Sequence, residues 1–187
     1  MLAPVFQAYC NNPEAQAEGR PMRILDLGCG TGIFTKIMAL YLYENVAESL
    51  EYEIYSADPN SSMVAQFRQS MTPAGFRDPS GPTAHLIKDT MSDQGINAVI
   101  ETMKVPIVAG VDELPYKANF FDGIVAAQAF HWFTSPEALL DIQRKLTPHG
   151  VFSFCWNYWT SQGYGNHLDK DSKKDPQQTG SPHPTLS

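Results

Sequence analysis

The chain has 187 residues, with 13 Lys and Arg against 20 Asp and Glu and a formal net charge of −7. That length suits one domain with a sizeable core, and 43% hydrophobic with 18% charged residues excludes wholesale disorder. The acidic balance argues against a protein that coats nucleic acid or a membrane face, since both need clustered positive charge.

Arg23-Ile24-Leu25-Asp26-Leu27 is a short apolar run ending in glycines and predicts a buried strand. Thr31 to about Tyr43 follows as a helix, with Ile33, Phe34, Ile37, Met38 and Tyr41 at helical spacing. Glu53-Ile54-Tyr55-Ser56-Ala57 reads as the second strand, closed by Asp58-Pro59-Asn60, and a helix begins near Ser61 with Met63, Val64 and Phe67 on one face. The Pro- and Gly-rich stretch from Thr72 to Pro82 predicts a surface excursion. Residues 106–111 and 123–127 give strands three and four. Ser135-Pro136-Glu137 supplies an N-cap, a proline in the first turn and an acidic first turn. Ala138, Leu139, Ile142 and Leu146 mark that helix's buried face, Thr147-Pro148-His149-Gly150 ends it, and Val151 to Trp156 is the fifth strand. From Ser161 to Ser187 the only aliphatic side chains are Leu168 and Leu186, too few to offset the entropy of ordering, so a disordered polar tail is expected at 161–187 after a domain at 1–160.

Repeated strand, helix, strand order implies an α/β fold: a doubly wound, mainly parallel sheet covered by helices. No apolar run approaches the roughly 18 residues of a membrane span. The start lacks the basic and apolar regions of a secretory signal. Cys10, Cys29 and Cys155 are scattered and make neither a disulfide framework nor a metal-ligand spacing, so a reducing, cytoplasmic setting is expected.

In an open parallel sheet the chemistry sits at the carboxyl ends of the strands. The first such end reads Leu25-Asp26-Leu27-Gly28-Cys29-Gly30-Thr31-Gly32. Alternating glycines let a backbone turn tightly and approach a ligand closely, although the same run also suits a tight turn with no ligand. The third glycine of the dinucleotide fingerprint is replaced by Ile33, and the Gly-Lys-Ser/Thr of a phosphate loop is absent.

This run, an acidic residue, any residue, then G-x-G-x-G, resembles motif I of the class I methyltransferases that use S-adenosylmethionine. Asp26, Gly28, Gly30 and Gly32 match it, and the resemblance extends to about Trp159. It implies a Rossmann-like methyltransferase fold with S-adenosylmethionine as cofactor. Asp58 stands where the family places a carboxylate on the two ribose hydroxyls, and Met63 where an apolar side chain packs on adenine. Asp58 also reads as a carboxylate opening a helix, and Met63 as part of a helix core. Val111 would offer its backbone to the adenine edge and Asp112 its carboxylate, with Glu113 a rival. Asp122 of the Phe120-Phe121-Asp122-Gly123 stretch reads as structural.

Ala127-Gln128-Ala129-Phe130-His131-Trp132-Phe133 resembles the A-x-x-x-H-W-F signature of methyltransferase type 11 domains, particularly fungal enzymes similar to trans-aconitate methyltransferase. The tetrad of amino-methylating nucleic-acid enzymes is missing there, so the resemblance implies a small-molecule acceptor, including a carboxylic acid, and neither nucleic acid nor membrane as partner. Ala127 and Gln128 would hold the methionine moiety, and His131 and Trp132 would lie near the methyl. Methyl transfer is in-line displacement served by alignment and dehydration. A carboxylate acceptor needs no base, whereas a hydroxyl or amine would benefit from one. His131 therefore stands as a base, a positioning group or a residue that packs Trp132. The reaction needs no metal, and no metal is expected.

Family members carry more chain before motif I and after strand five, so the sequence reads as shortened at both ends and lacking the last strands. Its fifth strand would be an open edge with Val151, Phe152, Phe154 and Trp156, and self-association through it is expected. Two further readings stay open. One is a non-catalytic S-adenosylmethionine-binding or interaction fragment, and the other a nucleotide-dependent oxidoreductase.

Overall fold

The computed structural model describes residues 2–46, 50–81, 83–87 and 91–156. The polar stretch 161–187 lies outside the described residues.

Five strands form one sheet: β1 (Met22–Leu27), β2 (Tyr52–Asp58), β3 (Ile107–Val108), β4 (Phe121–Ala127) and β5 (Leu146–Cys155). Their order is β3-β2-β1-β4-β5 and every pairing is parallel. The chain steps outward from β1 to β3, then returns to the other side of β1, so the order reverses between β1 and β4. That reversal opens a crevice at the carboxyl ends of these two strands, where an open α/β sheet binds its ligands.

β1 is buried on both faces, which is why it reads as a continuous apolar run. Ile24 and Met22 face one layer, where they pack with Val5 of α1 (Ala3–Cys10), Met38 and Leu42 of α3 (Ile33–Asn45) and Val99 of α6 (Asp93–Glu101). Leu25 and Leu27 face the other layer, with Phe121, Ile124 and Ile142 of α7 (Pro136–Lys145). The remaining helices are α2 (Pro13–Glu18), α4 (Ser61–Ser70) and α5 (Pro73–Arg77), with 3-10 turns at Ala84–Leu86 and Phe130–Trp132. No helix among the described residues is long and apolar enough to cross a membrane.

Several elements differ from the sequence expectation. The first long helix begins at Ile33, because Gly32 is its N-cap with φ 79°, a value that stops the helix reaching back to Thr31. The stretch from Thr72 is not merely a surface excursion: the Thr72 hydroxyl accepts from the Gly75 N–H, α5 forms, and Phe76 is fully buried in the core. The third strand shrinks to two residues. Pro106 has no N–H for a ladder, and its carbonyl is taken by the Arg68 guanidinium at 2.9 and 2.5 Å. The fifth strand starts earlier, at Leu146, and residues 147–150 bulge out between the pairs Phe121–Leu146 and Gly123–Val151. Helices α1, α2 and α6 were not foreseen.

Candidate functional site

A crevice of about 790 Å³ lies at the carboxyl ends of β1, β2 and β4. Asp26, Gly28, Gly30, Asp58, Met63, Ala127, Gln128 and Trp132 line it. Eight residues singled out in the sequence, drawn from three separate segments, therefore meet at one place.

The loop after β1 is held to β2 by its backbone. The N–H groups of Gly28 and Cys29 both donate to the Ala57 carbonyl, at 2.8 and 3.1 Å. One residue further, Gly30 N–H donates to Asp58 Oδ2 at 2.8 Å, and Asn60 N–H donates to Asp58 Oδ1 at 2.8 Å. Asp58 thus fixes the glycine loop and opens α4 at once, and each oxygen keeps lone-pair capacity for a ligand hydroxyl. The Asn60 side chain caps α4 by accepting from Ser62 and Met63 N–H. This cap stands Met63 over the crevice with 42% of its surface exposed.

The three glycines do different work. A Cβ at Gly28 would come within 2.5 Å of the Ala129 Cβ, and one at Gly32 within 2.2 Å of the Phe67 ring. Close packing between the layers demands glycine at both, and Gly32 is not among the crevice-lining residues. Gly30, with φ 55°, meets only the Met63 sulfur at 3.7 Å and so keeps a cradle open toward the crevice.

Asp26 is 1% exposed. Its Oδ2 accepts from the Thr35 hydroxyl at 2.5 Å, while Oδ1 is buried without a hydrogen-bond partner. Burial, above all, lifts its pKa to about 7, with Thr35 acting the other way and the Asp58 charge adding to the rise. Burial, then Asp26 and Asp58, also push the Cys29 thiol up, which keeps it neutral.

At the end of β4, Gln128 adopts φ 60°, a left-handed value uncommon for a non-glycine side chain. Its N–H donates to the Cys155 carbonyl at 2.8 Å, which ties this kink to β5. Strain of this kind collects where function needs a fixed backbone. In the following 3-10 turn the His131 and Trp132 rings lie 4.8 Å apart. Trp132 is 77% exposed and lines the crevice, whereas His131, also exposed, is not among its lining residues.

The structure does not bring Val111 or Asp112 to the crevice wall. β3 ends at Val108, and the chain then folds into a turn in which Glu113 N–H donates to the Gly110 carbonyl and the Glu113 carboxylate accepts from Gly110 N–H. Val111 is buried in the second core layer and Asp112 is exposed. Asp122 is structural as expected: fully buried, it takes a two-pronged ion pair from Arg20 at 2.7 and 2.8 Å.

Sequence reasoning missed part of the wall. Ile33, Phe34 and Ile37 were read only as apolar residues at helical spacing, yet all three line the crevice, and Ile33 is 47% exposed. Their position in the first turns after the glycine loop was the available signal.

The site fits the cofactor that the resemblance implies. The orphaned Asp26 Oδ1 calls for a donor such as the ammonium of the methionine moiety, Asp58 keeps acceptor capacity for ribose hydroxyls, and Gly30 leaves the space.

Residues 25–154 match the family described as a methyltransferase domain. An uncharacterized methyltransferase-like protein of Schizosaccharomyces pombe is 39% identical over 44 residues, 24% of this chain and 17% of that one. The malonyl-[acyl-carrier protein] O-methyltransferase of Legionella pneumophila is 28% identical over 136 residues, 72% of this chain and 36% of that enzyme. The solved S-adenosylmethionine-dependent methyltransferase of Mesorhizobium loti is 21% identical, with a TM-score of 0.43 over 79% of this chain and 52% of that one. The chain thus spans well under half the length of either curated relative.

Proposed function

The chain belongs to the class I S-adenosylmethionine-dependent methyltransferases through its methyltransferase domain, and from that premise we propose that it transfers a methyl group from S-adenosylmethionine to a small-molecule carboxylic acid. The observation that carries the acceptor class is the absence of a free base in the crevice. Among the described residues lining it there is no His or Lys. The Asp58 carboxylate is engaged by two backbone N–H groups, and Asp26 is buried. An acceptor that is already a nucleophile at neutral pH answers such a site, and a carboxylate is one. The Legionella relative carries an oxygen acceptor in its name, which supports the same reading.

S-adenosylmethionine supplies an activated methyl on a sulfonium sulfur. Asp58 and Met63 hold the nucleoside half at the end of β2, and Asp26 holds the amino-acid half at the end of β1. Ala127 and the kinked Gln128 backbone close the other side. Catalysis by these groups is alignment in a partly dehydrated crevice. In this reading His131 is a residue that packs Trp132.

A screen of small acids with methyl-labelled S-adenosylmethionine tests the proposal, and labelled methyl ester supports it. Binding of S-adenosylhomocysteine with no transfer to any acid would instead favour a cofactor-binding segment without activity of its own. The short share of the relatives' length that the chain spans keeps that second reading in view. The proposal also takes residues 1–160 as the folded domain and 161–187 as its polar tail, and the setting as cytoplasmic with its three thiols free. Self-association through the β5 edge belongs to the same reading.

A further inference from the structure

We infer that the crevice wall made by Ile33, Phe34, Ile37 and Trp132 is the acceptor subsite, and that it takes a monocarboxylate with an apolar body. The inference rests on the methyl-transfer reading above and narrows its substrate class.

The groups suited to the cofactor sit at the ends of β2 and β1, namely Asp58 and Met63 on one side and Asp26 and Gly30 on the other. What remains of the wall is mostly apolar, and its polar members, Thr31, Asn60 and Gln128, are uncharged. Ile33 and Trp132 keep 47% and 77% of their surface in solvent at the crevice, and Phe34 and Ile37 lie partly buried beside them. Covering such surface releases water at about 25 cal/mol per Å². A volume of about 790 Å³ lies in the upper part of the range of roughly 300–1,000 Å³ for small-ligand sites, which suits two ligands side by side.

Charge decides between classes of acid. Among the described residues that line the crevice there is no Lys, Arg or His, while two carboxylates, Asp26 and Asp58, face it. A di- or tricarboxylate would bring further negative charges beside these two with no cation to receive them, at the cost of their hydration. A monocarboxylate needs only one favourable partner, the sulfonium itself. Its oxygen lone pair forms the bond to the methyl carbon as the sulfur–methyl bond breaks, and that bonding pair stays on sulfur. The products are a neutral methyl ester and S-adenosylhomocysteine, and no proton moves.

The test is calorimetric titration of the full chain saturated with sinefungin, a non-reactive cofactor analogue whose amine carries the positive charge of the sulfonium, using straight-chain acids from butanoate to decanoate and citrate as the polyanion. Affinity is expected to rise roughly two- to four-fold per methylene until the wall is covered, with citrate weakest. Trp132→Ala should flatten that rise. Ile33→Arg, at a half-exposed position, should weaken decanoate and strengthen citrate at least ten-fold. Citrate binding more tightly than decanoate, affinity independent of chain length, or no binding of any acid would overturn the inference while the cofactor site stands. Failure of sinefungin itself to bind would instead remove the methyl-transfer reading, and this inference with it.

Discussion

Asp58 and Gly30 are joined by a 2.8 Å hydrogen bond from the Gly30 N–H to Oδ2 of the carboxylate, so the end of β2 holds the loop that follows β1. The other oxygen accepts from Asn60 N–H at the start of α4. Replacing Asp58 by Ala should therefore both loosen the loop and remove the ribose acceptor. Binding of S-adenosylhomocysteine should weaken by about 1.5–3 kcal/mol, the usual range for hydrogen bonds to a charged group. Asp58→Asn, which keeps one acceptor oxygen, should fall between. Calorimetry decides it, and an Ala variant that binds like the parent would place the cofactor elsewhere.

Two glycines in one loop should fail in different ways. At Gly28 a methyl group would meet the Ala129 Cβ at 2.5 Å, so Gly28→Ala overpacks the core and should cost about 1–3 kcal/mol of stability. At Gly30 the same change meets only Met63 at 3.7 Å, and the left-handed φ of both glycines, 75° and 55°, adds about 1–2 kcal/mol at each. The Cβ of Gly30→Ala enters the cradle, so cofactor affinity should drop ten-fold or more. Melting curves recorded with and without S-adenosylhomocysteine separate the two. If Gly30→Ala were still stabilised by the ligand as the parent is, the cradle would not be the binding surface.

Asp26 gives the protein a pH signature. Its carboxyl, ordinarily near 3.8, is raised to about 7 by burial, so between these values the folded state holds a proton that the unfolded state has lost. Stability from this group is complete at acid pH, falls as pH rises through that window, and levels off above about 7. Three units correspond to about 4 kcal/mol at most. Asp26→Asn, which can still accept from Thr35, should flatten the curve. Cofactor binding should run the opposite way, tightening toward pH 7 and above and releasing a proton, because a cationic group at Oδ1 wants the charged form. Urea unfolding and calorimetry at pH 5 to 8 check both signs, and parallel curves for parent and variant would refute the assignment.

The parts legible in the sequence were those where one local rule decides the structure. β1 and β4 are buried on both faces and β2 over its second half, each carries a short β-prone run, and the glycine loop and Asp58 follow directly from their ends. The site at the β1–β4 reversal was legible through the same motifs. What escaped depended on tertiary context. The helix α6 carries a glycine at Gly95 that weakens its pattern, although Ser92 caps it and Ile96 and Val99 bury its face. Val111 and Asp112 were assigned to the adenine edge by the family resemblance, and the Gly110–Glu113 turn buries the Val111 side chain and leaves Asp112 exposed, both outside the crevice lining. The left-handed Gln128 left no mark in the sequence, since its conformation is set by the bond to Cys155 on another strand.

The Arg20–Asp122 pair should be among the most sensitive points away from the crevice. Asp122 is fully buried and also accepts from Arg23 N–H at 3.0 Å, so it fastens the start of β1 to β4. Arg20→Ala strands a buried charge and should cost about 3–5 kcal/mol. Adding Asp122→Asn to that variant should recover part of the loss, because the amide oxygen still accepts from Arg23. Urea unfolding of parent, single and double variants gives the answer, and a cost below about 1 kcal/mol for Arg20→Ala would make the pair a surface contact in energetic terms.

The edge of β5 should govern association. β5 is the last strand on its side of the sheet among the described residues. At its carboxyl end Phe154 stacks on Phe130 at 4.4 Å and 9°, and Trp156 meets Phe154 edge-on at 5.5 Å. Phe154 and Trp156 remain 48% and 46% exposed, an aromatic ridge beside open backbone groups. A net charge of −7 opposes self-association, so dimers should strengthen as salt rises from about 0.01 to 0.3 M and the repulsion is screened. Phe154→Lys puts a charge at a half-exposed position and should yield a monomer with a somewhat lower melting temperature, because the stacking on Phe130 is lost. Phe152→Lys is the contrasting case: Phe152 packs on the second core layer, so a charge there should unfold the domain rather than solubilise it. Sedimentation velocity at two protein concentrations and two salt levels tests all of this. A parent chain that stays monomeric at every setting would mean that the short sheet already protects its own edge.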